Sequence, residues 1–131
     1  MSEDPGNEKI EEYIGYLQHE PTQEMLAVTL SAIRRRMKAG GQFVMAVSPS
    51  ADKGLEVQLM QLPDGGRWAV AYTGFDEQSK GGERVQSTFL ADMNQVLTKV
   101  LAMDGVDGLI LNPWNRTMRL DKSLIRLILG E

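Results

Sequence analysis

The residue types best suited to recognising another molecule collect in one short segment, residues 112–116. Trp114 and Arg116 lie two positions apart in it, and Arg119 follows shortly after. Tryptophan and arginine are enriched at the dominant positions of protein interfaces, because both combine a large contact area with hydrogen-bond donors. The segment therefore predicts a recognition loop with Trp114 as its anchor.

The residues around Trp114 should fix the shape of this loop. Pro113 favours an extended conformation at Asn112 and ends the preceding strand, and the Asn112 side chain can close a turn. Tyr72, at the end of another predicted strand, is a further candidate binding residue. A purely structural interpretation stays open, in which Trp114 closes the end of the core and Asn112 only holds the turn.

Catalytic chemistry finds little support in the sequence. The chain has no cysteine and one histidine, His19, so cysteine nucleophiles, thiolate metal sites and a serine triad are not indicated. The carboxylates Asp76 and Glu77, and the pair Asp104 and Asp107, fall in predicted loops, where such residues usually stabilise turns. We expect no catalytic residue, no metal and no cofactor, and whether the protein is an enzyme stays open.

The charge balance is acidic, with 18 acidic and 14 basic residues and a net charge of -4. Because nucleic-acid binding relies on basic surfaces, we expect no nucleic-acid partner. Arg34, Arg35, Arg36 and Lys38 are a local exception. Three consecutive helical positions sweep about 200°, so this run suits a solvated helix C-terminus, whose dipole favours cations. A partner-binding or phosphate-binding patch is the alternative.

The start of the chain and its apolar runs bear on location. The first residues are polar and acidic, without the basic start and apolar stretch of a secretory signal. No apolar run approaches the roughly 20 residues that span a bilayer. We therefore expect a cytoplasmic protein without a membrane partner.

The helices that must position these residues follow from hydrophobic periodicity. Apolar side chains recur at helical spacing from residue 8 towards Pro21, and again over residues 22–39. A third helix is predicted from residue 87 or 88 to residue 103. A final helix should follow Asp121, which suits an N-cap.

The strands are shorter and separated by turn residues. They are predicted at residues 42–47, 55–62, 67–73, 109–112 and 117–120. The second and third of these alternate around a Pro-Asp-Gly-Gly turn and should form a hairpin. Trp68, Val70 and Tyr72 share one face of it, which we expect to pack against a helix layer.

Together these elements predict an α/β (α+β) fold, a mixed sheet of about four to five strands with a central hairpin, packed against two to four helices. The helix before residue 109 allows a crossover and hence one parallel pair. Residues 74–83 should form a mobile loop, with a short strand at residues 84–86. The length of 131 residues suits a single domain, predicted at residues 8–131 after a disordered tail, residues 1–7.

One segment carries a family resemblance. Asp107-Gly108-Leu109-Ile110-Leu111-Asn112-Pro113, followed by a short segment with Leu120 and a closing amphipathic helix, resembles the SseB-type N-terminal domain, a bacterial family named for enhanced serine sensitivity. The resemblance covers roughly residues 22–129, and its specific part is residues 108–113. It implies a small α/β domain with no established enzymatic mechanism and no catalytic residues to carry over. Trp114 departs from the smaller residue expected there.

Two functions from different classes fit the sequence. The first is a non-catalytic protein-interaction or regulatory module, which would bind an unidentified protein through the loop at residues 112–116. The second is a metabolite-binding protein or an enzyme of unrecognised type, with a site at the strand ends near Tyr72, Thr73, Asp76, Asn112 and Arg116. Homo-oligomerisation is compatible with either.

Overall fold

The computed structural model describes residues 6–50, 54–80 and 87–130. In chain order, its elements are α1 (Glu8–His19), α2 (Gln23–Lys38), β1 (Gln42–Ser50), β2 (Gly54–Val57), β3 (Leu59–Gln61), β4 (Arg67–Ala71), α3 (Phe75–Ser79), β5 (Ser87–Asp92), α4 (Met93–Leu101), β6 (Gly108–Leu111), β7 (Met118–Asp121) and α5 (Lys122–Leu129). The short strand predicted at residues 84–86 lies outside the described residues.

The strands form a three-stranded and a four-stranded sheet. Strand β1 is the centre of the first, which has the order β2-β1-β5, and the second has the order β3-β4-β6-β7. The β3–β4 hairpin and the β6–β7 pair are antiparallel, whereas β4 and β6 run parallel. The predicted α/β class, with a mixed sheet and a central hairpin, is confirmed. The mixed sheet has four strands, within the predicted four to five, and the described residues add a separate sheet of three strands.

The two sheets join where β1 meets the end of β4. Val44 and Tyr72 exchange two backbone hydrogen bonds, of 2.9 and 2.8 Å. Beyond this pair, β1 takes β2 as its partner and β4 takes β3. The segment predicted as one strand, residues 55–62, therefore serves both sheets. Between its two halves, the Gln58 carbonyl accepts a hydrogen bond from the Val70 N–H at 3.0 Å.

The helices begin where the sequence provides N-caps. The Thr22 side chain accepts a hydrogen bond from the Met25 N–H at 3.1 Å, and Asp121 accepts one from the Leu124 N–H at 2.9 Å. Each cap satisfies an N–H that has no partner within its helix. The helices predicted over residues 22–39 and after Asp121 are therefore confirmed.

The main core lies between the helices and one face of the four-stranded sheet. Small residues of β4, Ala69 and Ala71, meet this layer beside Leu109 and Leu111 of β6, and the helices contribute Ile10, Ile14, Ile33, Leu97 and Ile125. The opposite face carries a separate buried cluster, Val44, Trp68, Val70, Tyr72 and Ile110. The expectation that Trp68, Val70 and Tyr72 face the helix layer is wrong. A period of two identifies a shared face but not the side that the helices cover.

The third predicted helix starts later than expected. Residues 87–92 form β5, which pairs antiparallel with β1, and α4 begins at Met93. Asp92 ends the strand and caps the helix, because its carboxylate accepts a hydrogen bond from the Gln95 N–H at 3.1 Å. The spacing of Phe89 and Met93 fits a helix, but the edge of β1 offers this segment a complete strand partner. Tertiary pairing overrides the local pattern.

Two regions predicted to be irregular contain ordered residues. Within the predicted mobile loop, residues 74–83, the helix α3 forms. Asn7, predicted to lie in the disordered tail, is 2% exposed, and its Nδ2 donates to the Gln42 carbonyl at 2.7 Å. This buried contact makes residue 7 part of the fold, and residues 1–5 lie outside the described residues.

Candidate functional site

Asn112 stands where β4 and β6, the parallel pair, both end. Its backbone lies in the left-handed region, with φ of 50°, so the extended conformation expected before Pro113 is wrong, and its side chain is fully buried. Asparagine tolerates this conformation better than most residues because its short polar side chain can bond locally. The side-chain oxygen accepts from the Thr73 N–H at 2.9 Å, and Nδ2 donates to Thr73 Oγ1 at 3.0 Å. Asn112 therefore ties the two strand ends together.

Thr73 extends this connection to helix α1. Its hydroxyl has one proton, and the shortest contact, 2.6 Å to Glu11 Oε2, identifies the acceptor. The Thr73 carbonyl accepts from Asn7 Nδ2 at 3.0 Å. Asn7, Glu11, Thr73 and Asn112, which we call the strand-end network, join the start of α1 to the ends of β4 and β6. Within this network, the side chains of Thr73 and Asn112 bond each other, and Thr73 also bonds Glu11.

The segment after Asn112, residues 113–117, turns back immediately into β7. The Asn112 carbonyl accepts from Thr117 Oγ1 at 2.7 Å and from the Asn115 N–H at 3.3 Å. From α1, Gln18 Nε2 donates to the Asn115 carbonyl at 3.0 Å. Residues 112–117 form what we call the Trp114 loop, a compact turn whose backbone is held from inside and from the neighbouring helix.

Glu77 of α3 supports the same loop from the other side. It is 4% exposed, and its carboxylate accepts from Lys80 Nζ at 3.0 Å, Asn115 Nδ2 at 3.2 Å and the Arg116 N–H at 3.3 Å. A buried carboxylate needs such donors to offset the cost of leaving water. Glu77 is therefore a structural brace of the Trp114 loop, a role that its adjacency to Asp76 did not reveal.

Trp114 itself is held at one end and open to solvent over much of its surface. Its side chain is 45% exposed, and its Nε1–H donates to the Tyr72 hydroxyl at 3.2 Å. Tyr72 is 1% exposed, and burial raises the pKa of its phenol, against the opposing effect of the Trp114 N–H. Tryptophan suits such a position because its body is apolar and its N–H provides a polar attachment.

The two arginines predicted to flank Trp114 lie in different surroundings. The Arg116 guanidinium packs on α1 at Gly15, where an added Cβ would lie 3.6 Å from its central carbon. Arg119, on β7, bonds Asp64 at 3.3 Å and lies over the Trp68 ring, 5.6 Å from its centroid. The Gly66 N–H and, after it, Arg119 lower the pKa of Asp64.

The five predicted binding residues are therefore only partly brought together. The structure joins Tyr72 to Trp114 by a hydrogen bond and places Asn112 beneath the same loop. The Arg116 N–H donates to Glu77 of α3, whereas Arg119 contacts the β3–β4 turn. Sequence proximity grouped Arg119 with Trp114, but β7 carries it along the sheet towards Trp68.

The other candidate groups lie apart from this loop. His19, Asp76 and Asp104 are exposed. Asp107 is exposed as well and accepts a hydrogen bond from the Arg67 N–H at 3.0 Å. Over residues 6–50, 54–80 and 87–130, no group of three or more histidine, aspartate or glutamate side chains could hold a metal ion. Within the same ranges, no helix is both long and apolar enough to cross a membrane.

Comparison with known proteins identifies no matching family model, no similar curated protein and no similar solved structure. The interpretation of the Trp114 loop therefore depends on its own geometry.

Proposed function

We propose that this chain is an SseB-type bacterial domain that acts in the cytoplasm as a non-catalytic protein-interaction or regulatory module. The observation that carries the proposal is the state of Trp114, which leaves 45% of its side chain in solvent while its indole N–H is bonded to a buried tyrosine. The partner is a protein with an apolar recess that accepts an indole face.

Preorganisation is the physical reason that this arrangement suits binding. Ordering a flexible side chain at an interface costs about 0.5–1.5 kcal/mol. Trp114 has already lost much of this freedom through its bond to Tyr72, and the loop backbone is held by Glu77 and Gln18. A partner would gain the contact area of an aromatic ring with little further ordering. Rigid aromatic side chains in this state are typical interface anchors.

The metabolite or enzyme alternative has one feature in its favour. Ligands of α/β proteins commonly bind at the carboxyl ends of parallel strands, and β4 and β6 both end beside Asn112. The strand-end network disfavours it, because Thr73 and Asn112 are buried and bonded to each other and to Glu11. A ligand there would first have to break these bonds.

A quantitative pull-down tests the interaction proposal. Three baits are compared, namely the wild-type chain, a Trp114→Ala variant and a Leu127→Ala variant. Leu127→Ala is the matched control because Leu127 is an apolar residue on α5 that is 59% exposed. We expect Trp114→Ala to reduce recovery of a specific partner at least about tenfold, the effect of losing 1.4 kcal/mol of binding free energy. Leu127→Ala should leave recovery unchanged. Equal recovery by all three folded baits would overturn the role of Trp114.

A thermal-shift screen with metabolites addresses the alternative. A compound that stabilises the wild-type chain, and loses its effect on Thr73→Val but not on Trp114→Ala, would favour a ligand site at the strand ends. A screen without such a compound, together with a Trp114-dependent partner, supports the interaction module.

A further inference from the structure

Strand β5 is the outer strand of the three-stranded sheet, and half of its backbone groups point away from the protein. Val44 uses its N–H and C=O for Tyr72, on the side of β1 opposite β5. The β5 residue directly opposite Val44 is Leu90. Because the Val44 N–H and C=O point away from β5, Val44 and Leu90 form a non-hydrogen-bonded pair. The Leu90 N–H and C=O point outward, as do those of Thr88. Within the described residues, β1 is the strand that pairs with β5.

This edge differs from the other outer strands in length and protection. It has six residues, against four in β2, three in β3 and four in β7. Strand β7 also carries Arg119, which is paired with Asp64. Natural proteins usually protect such edges with lysine, proline or a short strand. Strand β5 contains neither lysine nor proline, and its single charged residue, Asp92, caps α4.

An apolar groove runs along the same edge, between β5 and helix α4. It has a volume of about 140 Å³, and its lining is mostly apolar, with Met45, Phe89, Ala91, Val96 and Met103, but also includes Gln95 and Lys99 of α4. The small side chain of Ala91 leaves the groove open, while Phe89, two residues away on the same face of the strand, is 42% exposed. On the opposite face, Leu90 is 36% exposed.

We propose that the β5 edge binds the β5 edge of a second copy of this chain, forming a two-fold dimer with a continuous antiparallel sheet. A two-fold axis at Leu90 places each Leu90 opposite the other and makes them a hydrogen-bonded pair. It sets Phe89 of each copy against Ala91 of the other, so that the large side chain enters the groove that the small one leaves. This surface is separate from the Trp114 loop.

The charges of the strand fit a partner that is a second copy. In this register Asp92 of each copy faces Thr88 of the other, so the two carboxylates do not oppose each other. Like charges directly opposite one another would destabilise the pairing. Two-fold contacts require such self-complementarity, because the same patch serves both subunits.

A single introduced cysteine tests the register directly, since the chain has none of its own. Opposed residues of a hydrogen-bonded antiparallel pair have Cα atoms about 5.5 Å apart, within the range that a disulfide bridges. Under mild oxidation, Leu90→Cys should form a covalent dimer at least about tenfold faster than Leu127→Cys, which changes an exposed residue on α5. Equal rates for the two variants would overturn the proposal.

Sedimentation of the untagged chain gives an independent test. At about 100 μM, a dimer with a dissociation constant of about 1 μM contains roughly nine-tenths of the chains, so the wild type should sediment with close to twice the 14.6 kDa chain mass. Leu90→Pro removes an N–H that β1 does not use and should be monomeric, with the circular dichroism of the wild type. Trp114→Ala should remain a dimer. A monomeric wild type, or a folded Leu90→Pro that stays dimeric, would contradict the β5 interface.

Discussion

The two tryptophans of this chain associate with opposite ends of β4, and their environments are reversed. Trp68 is the second residue of the strand and is 8% exposed, and its buried Nε1 has no hydrogen-bond partner among the described residues. Trp114 lies at the other end, half in solvent, with its Nε1–H bonded to Tyr72. The Trp68 ring is buried, and within the described part of the chain its N–H is unpaired. The Trp114 indole has its N–H bonded while much of its ring surface is exposed.

This difference separates the packing role of Trp68 from the recognition role proposed for Trp114. Around Trp68 the fold leaves little space: a Cβ added to Gly66 would lie 2.8 Å from its Nε1, and one added to Gly108 would lie 2.9 Å from its ring. The Arg119 guanidinium covers the ring from outside. Around Trp114 the contacts hold the loop backbone and leave the ring surface available. Residue type alone would have assigned both tryptophans the same role.

The largest effect should come from truncating the two tryptophans in parallel. Trp68→Ala should lower the free energy of unfolding by about 3–5 kcal/mol, as for other large core side chains. Trp114→Ala should lower it by about 1 kcal/mol or less, because its side chain is half exposed. Urea unfolding measures both. Equal losses would mean that Trp114 is a core residue, and the contrast between the two sites would disappear.

A smaller effect is expected at the base of the Trp114 loop. Asn112→Ala removes the acceptor of the buried Thr73 N–H and places a Cβ-bearing residue without a local side-chain bond at positive φ. We expect a loss of about 2–4 kcal/mol in unfolding free energy.

Asn112→Gly is the matched control, because it loses the same hydrogen bonds but adopts positive φ freely. It should recover about 1 kcal/mol of the loss in Asn112→Ala. The two variants, compared by urea unfolding, separate the side-chain contribution from backbone strain. If Asn112→Gly is as stable as the wild type, the side-chain bonds contribute little to holding the loop.

The smallest effect concerns the hydroxyl that holds Trp114. Tyr72→Phe should cost about 1 kcal/mol or less at neutral pH. Burial raises the pKa of Tyr72, so the folded state keeps its proton to higher pH than the unfolded state. This contribution to stability is complete below about pH 10 and is lost as the pH rises through the folded pKa.

The wild type should therefore lose stability more steeply above about pH 10 than Tyr72→Phe does. Denaturant midpoints measured across alkaline pH give this comparison, and Tyr16→Phe, on an exposed tyrosine, is the control. If Tyr72→Phe and Tyr16→Phe follow the same alkaline profile, burial of the Tyr72 phenol does not affect stability.

Periodicity and turn residues were sufficient to predict most elements of the fold. The stripe of α2, the cap at Asp121 and the β3–β4 hairpin each depend on neighbours in sequence, and all three are observed. Strand β5 and helix α3 were missed because their formation depends on contacts with distant segments. Residues 87–92 form a strand because they pair with the edge of β1. The local sequence does not indicate this pairing.

The candidate site shows the same division. The end of the strand at Pro113 could be predicted, whereas the left-handed backbone of Asn112, its side-chain bonds to Thr73 and the exposure of Trp114 could not. The brace at Glu77 comes from a segment 39 residues before Arg116, and the Asn7 contact from one 66 residues before Thr73. No pattern in the sequence indicates such partners, because these residues meet only when distant segments pack together.

The strand-end network also has a consequence for how the chain folds. Its hydrogen bonds join residues 62, 66 and 39 positions apart, so the chain must close several long loops before they can form. Contacts of this kind form slowly, after local helices and hairpins. The Trp114 loop should therefore acquire its geometry among the last steps, and a partner that recognises it would distinguish completely folded molecules from those still folding.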